Sequence, residues 1–415
     1  MKNPITTHDV IIIGGGAAGM LAGITCAQQG KSVLILDKNE RLGRKLLITG
    51  KGRCNITNNC QRDELFKNIP HNPKFLYSAF SQFTPLDAID FFESLGVATK
   101  TERGNRVFPV SDKAVEVVDA LVKTLNKYGV KTVRAKAEGL KLEDGQIKGV
   151  LCADNIIYNA KSVIIATGGR SYPLTGSTGD GYALAMQAGH TVADVSPSLV
   201  PIVTLEKWCA DAMGLSLKNV TLKVIDNSKN KRIVFEELGE MLFTHFGVSG
   251  PLVLSASAHM EELESNRYSL EIDLKPALDE QTLDKRLLRE IATYSNRDFS
   301  NLLGSLLPQK LIAVVVELSG INGDTKANSI TREQRATLCK LLKSLPLSVK
   351  AFRPIEEAIV TRGGVSTVEI DPKTMESKLT KGLFFAGEVI DVDAYTGGFN
   401  LQIAFSTGFL AGLHA

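Results

Sequence analysis

The pattern of apolar and polar positions near the N-terminus predicts a β-strand, an α-helix and a second β-strand. Val10–Ile13 is an uninterrupted apolar run, Ala17–Gln29 has helical character that ends at Gly30, and Val33–Leu36 is again apolar. Short apolar runs next to glycine are typical of buried strands in a parallel sheet. This region is therefore predicted to form a βαβ unit.

Later apolar runs predict that the chain returns to this sheet twice. Between 130 and 165 short strands alternate with turns, and Asp144-Gly145 is a hairpin signal, so a small β-meander is expected there. The meander leads into the apolar run Ser162–Ile165, which is followed by Gly168-Gly169. A further short buried strand is predicted within Gly382–Gly387. The sheet is thus expected to take strands from both ends of the chain.

A glycine pattern lies at the turn of the βαβ unit. Gly14, Gly16 and Gly19 form GxGxxG directly after the first strand. The first glycine makes the turn, the second admits a pyrophosphate to the helix N-terminus, and the third allows close helix packing. Asp37 ends the second strand 18 residues after Gly19, where an acidic side chain meets a ribose hydroxyl. The motif predicts dinucleotide binding but does not separate FAD from NAD.

The C-terminal region favours FAD. Gly387-Glu388 and Gly397–Leu401 precede a final helix that is expected to run to Leu410. A reduced isoalloxazine gathers negative charge at its N1 and O2 edge, and free N–H groups at a helix N-terminus stabilise such charge. NAD has no such requirement, so a second helix N-terminus indicates a flavin.

The domain organisation follows from these patterns. At 415 residues the chain exceeds the roughly 250 to 300 residues at which single cores stop growing. After Ser196-Pro197-Ser198 the pattern changes to strands mixed with helices. We therefore predict an α/β, Rossmann-like FAD/NAD(P)-binding domain formed by residues 1–194 and 351–415, interrupted by an inserted β-plus-helix substrate or cap domain at 195–350.

Composition narrows the classes of function. The formal net charge is +3, and 44% of the residues are hydrophobic, as in ordinary globular proteins. Basic and acidic residues alternate, so nucleic acid and membrane partners are not expected. The six cysteines include no CxxC pair and no metal-ligand spacing, which fits a reduced cytoplasmic protein without a metal site. The oligomeric state stays open.

Longer motifs carry a resemblance to a known family. They are GGGAAGM (14–20), GRKLLITGKGRCNITN (43–58), RVFP (106–109), ATGG (166–169), TGSTGDGY (175–182), FTHFGVSGP (243–251), TRGGV (361–365), FFAGEVIDVD (384–393) and TGGFNLQIA (396–404). In these motifs, over almost its whole length, the chain resembles the bacterial aminoacetone oxidase-like FAD-dependent oxidoreductases, a family that also contains a bile-acid dehydro-steroid reductase.

The resemblance implies a glutathione-reductase type of FAD domain and roles for individual residues. Arg44 and Lys45 are expected near phosphate, Glu388 is expected to bond the ribityl chain, and the segment 43–58 is expected to pass the pyrophosphate and the flavin. The residues expected to bind the cofactor are Gly14, Gly16, Ala17, Ala18, Gly19, Asp37, Lys38, Arg44, Lys45, Cys54, Asn55, Ala166, Thr167, Gly168, Gly387, Glu388, Gly398, Phe399, Asn400 and Leu401.

Two cysteines lie where disulfide reductases of this fold class keep a redox pair. Cys54 and Cys60 are separated by five residues, without the CxxC spacing of such pairs. Packing of Cys54 beside the flavin is therefore favoured over a thiol relay.

Few side chains are candidates for contact with a substrate. Tyr172 and His245 lie in motif segments expected to face a cleft, and Arg106 and Arg362 could clamp an anionic substrate. Tyr395 is a further candidate. The competing interpretation for each is a hydrogen-bonded packing residue, so the catalytic residues stay unassigned.

The leading hypothesis is an enzyme that moves a hydride between a small organic substrate and flavin N5. The flavin would be recycled by oxygen, as in oxidation of an amine such as aminoacetone, or by NAD(P)H, as in reduction of an activated enone. No second GxGxxG is present, so NAD(P)H would dock transiently, which favours direct substrate oxidation. The alternative is a redox sensor or accessory binding protein that holds FAD as a structural group.

Overall fold

The computed structural model describes residues 7–415 apart from 154, 229–230, 262 and 265. The chain forms two compact units, one reaching to Ser198 and resuming over Pro354–Ala415, the other Leu199–Arg353. The insert had been expected at 195–350. Its start lies later because Val192–Ser198 pairs antiparallel with Val360–Val365 and so stays in the first unit.

The first unit contains the βαβ unit and both chain ends. Numbered in chain order, its strands are β1 Thr7–Ile13, β2 Val33–Asp37, β3 Thr57–Asn58, β4 Thr99–Glu102, β5 Arg106–Pro109, β6 Lys131–Arg134, β7 Ala137–Glu143, β8 Gln146–Cys152, β9 Ile157–Ile165, β10 Val192–Ser198, β17 Val360–Val365 and β18 Leu383–Phe385. Its helices are α1 Ala17–Gln28, α2 Arg44–Ile48, α3 Arg62–Lys67, α4 Tyr77–Gln82, α5 Pro85–Ser94, α6 Ala114–Lys127, α7 Asp180–Gln187 and α13 Phe399–His414.

The main sheet of this unit brings four strand ends to one edge. Strands β6, β2, β1 and β9 run parallel in that order, and β18 pairs in parallel with β9. Ile13 pairs with both Leu36 and Ile165, and Ile165 also pairs with Phe385. The carboxyl ends of β1, β2, β9 and β18 are therefore in register, which is where ligands bind in open α/β sheets. The meander of β7, β8 and β9 continues the sheet antiparallel.

Helices α1 and α13 approach each other closely because small residues face each other. A Cβ atom on Gly408 would lie 2.4 Å from the carbonyl oxygen of Ala18, and one on Gly412 would lie 2.8 Å from that of Ala22. Helix α13 extends to His414, four residues past the expected end at Leu410, and the Gly412 contact lies in this added turn. Both chain ends thus share one apolar core.

The second unit has an apolar core of its own. Its strands are β11 Ile202–Thr204, β12 Ser216–Asp226, β13 Arg232–Thr244, β14 Gly247–Ser249, β15 Tyr268–Asp273 and β16 Leu345–Phe352, and its helices are α8 Pro251–Ser257, α9 Glu280–Thr293, α10 Phe299–Leu303, α11 Gln309–Ser319 and α12 Arg332–Lys343. The strands close into a barrel in the order β11, β14, β13, β12, β15 and β16. Among the described residues, no helix is long and apolar enough to cross a membrane.

Candidate functional site

A cleft of about 1310 Å³, partly open to solvent, lies at the carboxyl edge of the parallel sheet in the first unit. The residues expected to bind the cofactor that line it are Gly14, Gly16, Ala17, Ala18, Asp37, Lys38, Arg44, Lys45, Ala166, Thr167, Gly168, Gly387, Glu388, Asn400 and Leu401. The cleft therefore joins the βαβ turn to the start of α13.

The glycines of the βαβ turn differ in what surrounds them. Gly14 has φ +102°, and a Cβ atom there would lie 2.5 Å from the carbonyl oxygen of Ala166. Gly19 does not line the cleft, since its Cβ position lies 1.9 Å from the carbonyl oxygen of Gly14. A Cβ atom on Gly16 would meet no protein atom within 4 Å. Gly14 and Gly19 are thus required by the fold, whereas the space beside Gly16 is left open at the N-terminus of α1.

Asp37 holds the turn from the end of β2. One carboxylate oxygen accepts the N–H of Gly15 at 2.7 Å, and the other accepts the N–H of Asn39 at 2.7 Å. These bonds fix the carboxylate at the cleft wall. A carboxylate at this position is suited to accept ribose hydroxyl groups.

Cationic side chains line the cleft next to the turn, and each has a partner. Lys38 contacts Asp180 and Thr178. A guanidinium N–H of Arg44 donates to the side-chain oxygen of Asn39 at 2.9 Å. This arrangement places positive charge beside the N-terminus of α1, where phosphate groups bind in dinucleotide folds.

Lys45 takes part in a polar network around Glu388. The Lys45 Nζ atom donates to Glu388 Oε2 and to Ser171 Oγ, both at 2.7 Å. The other carboxylate oxygen, Oε1, accepts the Ser171 hydroxyl at 3.0 Å and the Thr361 N–H at 2.9 Å. Glu388 therefore joins α2, the loop after β9 and strand β17 at the cleft.

The start of α13 forms another wall. Gly398 precedes the helix in a left-handed conformation with φ +102°, and its Cβ position is only 2.4 Å from Thr57, so only glycine fits. Asn400 accepts the N–H of Ala394 at 3.0 Å and donates to the Ala394 carbonyl at 2.6 Å. These bonds fix the loop that leads into the helix, and Asn400 and Leu401 line the cleft.

The sequence matches one protein-family model over almost its whole length. The family model described as HI0933-like protein Rossmann domain matches residues 8–414. The chain belongs to this family.

Two relatives match the chain over almost its whole length, and one solved structure shares its fold. The chain is 34% identical over 407 residues to 3-dehydro-bile acid delta(4,6)-reductase of Clostridium scindens, covering 97% of each chain. It is 33% identical over 405 residues to ribosomal RNA dihydrouridine synthase of Escherichia coli, covering 97% of this chain and 96% of the relative. The open conformation of a flavocytochrome c3 fumarate reductase superposes with a TM-score of 0.51 at 18% identity, covering 99% of this chain and 78% of that one.

These similarities confirm the predicted Rossmann-like α/β fold and the predicted enzyme class. This HI0933-like protein is an FAD-dependent oxidoreductase. The expected resemblance to a family that includes a bile-acid reductase is confirmed as well.

Four residues expected to bind the cofactor lie away from the cleft lining, besides Gly19. Cys54 and Phe399 are buried in the apolar core, and Gly398 is packed against Thr57. Asn55 follows Cys54, and its side-chain oxygen is buried without a hydrogen-bond partner among the described residues. Their predicted contact with the cofactor therefore stays a prediction.

The five catalytic candidates do not line the cleft either. Arg106 is exposed and donates to the carbonyl oxygen of Arg103, and His245 is exposed on the turn between β13 and β14 in the second unit. Burial and the nearby Glu357 raise the pKa of Tyr172.

The other two candidates lie near the loop before α13. The N–H of Tyr395 donates to the Asn68 carbonyl oxygen, and Arg362 is close enough to Asp391 to affect its carboxyl electrostatically. Burial, the largest effect, raises the pKa of Asp391.

The two cysteines considered as a redox pair have the wrong acidity for that chemistry. Burial raises the pKa of the Cys54 thiol to about 12 and that of Cys60 to about 11. Redox thiols are reactive as thiolates with lowered pKa values. At neutral pH both side chains remain thiols, which agrees with a packing role for Cys54.

Some cleft residues were missed by the sequence reasoning. Thr175–Ser177 and Asp180 belong to the motif TGSTGDGY, from which no cofactor-binding residue was predicted. Ile359 and Val360 adjoin the motif TRGGV, and Val392 lies inside FFAGEVIDVD. The motifs themselves were therefore the available signal. No motif covers Ala135 and Lys136, between β6 and β7, or Ala137, the first residue of β7.

Proposed function

We propose that this enzyme reduces a carbon–carbon double bond conjugated to a carbonyl group. Support comes from the names of two relatives that match almost the full chain: one is a delta(4,6)-reductase of a 3-dehydro bile acid, the other makes dihydrouridine. A 3-oxo group beside a C4 double bond is an enone, and uracil has a double bond conjugated to its C4 carbonyl. The two substrates differ in size and charge but share this functional group.

The cleft in the first unit is the proposed FAD site. The open space beside Gly16 fits a pyrophosphate at the N-terminus of α1, with Arg44 and Lys38 adding positive charge. Asp37 would accept the ribose hydroxyl groups. This fit is the observation that carries the proposed FAD site, because the Cβ position of Gly16 is free of protein atoms where a dinucleotide fold needs room for phosphate.

The other end of the cleft would hold the flavin. Glu388 would meet the ribityl chain, and the N–H groups at the start of α13, at Asn400 and Leu401, would stabilise negative charge at the N1 edge. When bound and reduced, FAD would supply the hydride that adds to the β carbon of the conjugated substrate. The protein itself keeps Glu388 and the start of α13 in fixed positions. The Lys45–Glu388 network holds the carboxylate, and the hydrogen bonds of Asn400 hold the loop before α13.

NAD(P)H is the proposed reductant that restores the reduced flavin. The sequence contains one GxGxxG, so the nicotinamide nucleotide would bind transiently at the flavin face and leave before the substrate binds. The reductive direction replaces the amine oxidation that the single motif had favoured.

An anaerobic spectroscopic experiment tests the direction and the functional group. Protein reconstituted with FAD is photoreduced and mixed separately with a 3-oxo-4-ene steroid, with cyclohex-2-enone and with a uridine-containing RNA. In parallel, oxidised protein is mixed with aminoacetone, NADH or NADPH. The proposal expects at least one conjugated carbonyl to restore the oxidised flavin spectrum, and a pyridine nucleotide to bleach it.

The separate mixtures distinguish the competing functions. Reoxidation by the steroid but not by RNA assigns a small free substrate, and the reverse assigns uracil in RNA. Bleaching by aminoacetone, with no reoxidation by any conjugated carbonyl, would overturn the proposal in favour of an amine oxidase. A flavin that responds to none of these compounds would also contradict it and would support the redox sensor.

A further inference from the structure

His71 and Asp393 form a hydrogen-bonded pair that the cofactor site does not use. The Nδ1 atom of His71 lies 2.6 Å from Oδ1 of Asp393, whose side chain is only 1% exposed. The second carboxylate oxygen accepts the hydroxyl of Ser198 at 2.6 Å. Both oxygens of a buried carboxylate are thus oriented by donors, and one of them fixes the imidazole ring.

The pair is attached to the wall of the cleft. Asp393 directly follows Val392, which lines the cleft. An isolated β-bridge joins the backbones of His71 and Asp393, and the side chain of Asn72 donates to the carbonyl oxygen of Asp391 at 2.7 Å. The loop that carries Asp393 is also fixed by Asn400 at the start of α13. The imidazole is therefore bonded to the segment that places Val392 at the cleft wall.

The other ring nitrogen of His71 is available. The side chain is 23% exposed, and no described residue is hydrogen-bonded to Nε2. The charged groups around this ring are Asp393 and Asp391, with Arg362 close to Asp391. An imidazole with Nδ1–H bound to a buried carboxylate has a fixed orientation, and its protonated form presents a second N–H at Nε2. A residue that served only to tie two loops would not need this open nitrogen.

We infer that His71 is the acid that protonates the α carbon of the conjugated substrate, and that Asp393 is the residue that positions it. This inference rests on the proposed function. Hydride addition from the reduced flavin forms a C–H bond at the β carbon and moves the electron pair of the double bond to the enolate. The enolate then takes the proton of His71 Nε2 at the α carbon, which completes the saturated ketone and leaves oxidised FAD and a neutral imidazole. Solvent reprotonates the imidazole, and NAD(P)H reduces the flavin again.

The test compares two ways of reoxidising the same reduced flavin. His71→Gln keeps a side-chain N–H donor for Asp393 but removes the acid. His414→Gln is the matched control, since His414 is exposed at the end of α13. Each photoreduced protein is mixed with the conjugated carbonyl that reoxidises the parent, and separately with ferricyanide, which takes electrons without any proton transfer to carbon.

The inference expects a selective loss. General acids contribute ~10²- to 10⁴-fold, so reoxidation of His71→Gln by the conjugated carbonyl should slow by about 100-fold or more, while the ferricyanide rate and both rates of His414→Gln stay within about twofold of the parent. Equal slowing with both oxidants would show a structural role and overturn the inference, as would a carbonyl rate that changes less than threefold. If no conjugated carbonyl reoxidises the parent, both the function and the inference fail.

A measurement on the FAD-free protein checks the positioning role of Asp393 independently of turnover. Nitrogen-15 imidazole NMR should show the neutral His71 ring protonated at Nδ1, and Asp393→Asn should shift the proton population towards Nε2. A neutral ring that already carries its proton on Nε2 in the parent would contradict the hydrogen bond on which the inference depends.

Discussion

Lys45 Nζ lies 2.7 Å from Glu388 Oε2, although the two residues are 343 positions apart in the sequence. Their side chains are 22% and 19% exposed, so both charges are mostly removed from water. Glu388 also accepts the Thr361 N–H and the Ser171 hydroxyl. The carboxylate expected to bond the ribityl chain is therefore already bound to three protein groups and is fixed before any ligand arrives.

Glu388→Ala is expected to destabilise the FAD-free protein as well as weaken FAD binding. The change leaves the Thr361 N–H and one Lys45 donor without partners, at a cost of about 1–3 kcal/mol in the free energy of unfolding. Urea denaturation of the FAD-free protein measures this loss, and fluorescence titration measures the affinity for FAD.

A double-mutant cycle with Lys45→Met isolates the ion pair. Since the two side chains are in contact, the combined variant should lose less stability than the sum of the single losses, by about 0.5 kcal/mol or more. Additive losses would show that the contact contributes nothing to stability.

Gly16→Val is expected to fold normally and to lose FAD. The backbone at Gly16 has φ −83° and ψ −165°, an extended conformation that valine adopts readily, and the new Cβ atom meets no protein atom. The added methyl groups would occupy only the space proposed for pyrophosphate. Purified Gly16→Val should be colourless, with a melting temperature close to that of the FAD-free parent.

Gly323→Ala is the control for this variant, because its Cβ position in the second unit is at ordinary contact distance, 3.6 Å from the nearest atoms. It should retain FAD. A yellow Gly16→Val protein with parental FAD affinity would show that phosphate does not approach this residue.

The local parts of the fold could be predicted from the sequence, since their signals lie within a few residues of each other. The spacing of Gly14, Gly16 and Gly19 after an apolar run predicted the turn that the structure shows. The required close contacts, such as that of Gly19 with the Gly14 carbonyl, are consequences of one short loop. Such geometry is encoded locally.

Contacts between distant segments could not be predicted in the same way. Nothing in the spacing of Lys45 and Glu388 shows that they meet, and the pairing of Val192–Ser198 with Val360–Val365 moved the start of the insert past its expected position. His71 lies outside every motif that was considered. The side chain that orients it belongs to Asp393, which is 322 positions away in the sequence. Long-range pairing depends on the complete fold.

Cys54→Ala is expected to leave the redox chemistry intact. Burial holds the pKa of the Cys54 thiol at about 12, so no thiolate forms at neutral pH. Rates of flavin reduction and reoxidation should stay within about threefold of the parent. A reoxidation rate lowered more than tenfold in Cys54→Ala, together with a Cys54–Cys60 disulfide detected in the parent by alkylation of free thiols and mass spectrometry, would support a thiol relay instead.

The same burial predicts a dependence of stability on pH. A thiol pKa raised from 9.0 to about 12 means that folding favours the protonated form. The contribution of Cys54 is fully present below pH 9 and is lost as the pH rises towards 12. The free energy of unfolding of Cys54→Ala, measured by urea denaturation at pH 7 and at pH 10.5, should therefore fall less steeply with pH than that of the parent. Equal slopes would contradict the assigned pKa.

Tyr182→Phe is expected to stabilise the FAD-free protein. Tyr182 is 6% exposed, and its hydroxyl has no hydrogen-bond partner among the described residues. Burial, with Glu388 nearby, raises its pKa, so the group is a neutral hydroxyl whose desolvation is not compensated. Because an unpaired buried hydroxyl costs ~1–3 kcal/mol, phenylalanine should raise the free energy of unfolding by about 1 kcal/mol.

Urea denaturation measures this, with Tyr128→Phe as the control, since Tyr128 is exposed. If the hydroxyl donates to a bound ligand, the gain disappears when FAD or substrate is present. A loss of stability above 1 kcal/mol in the FAD-free protein would show that the hydroxyl has a partner after all.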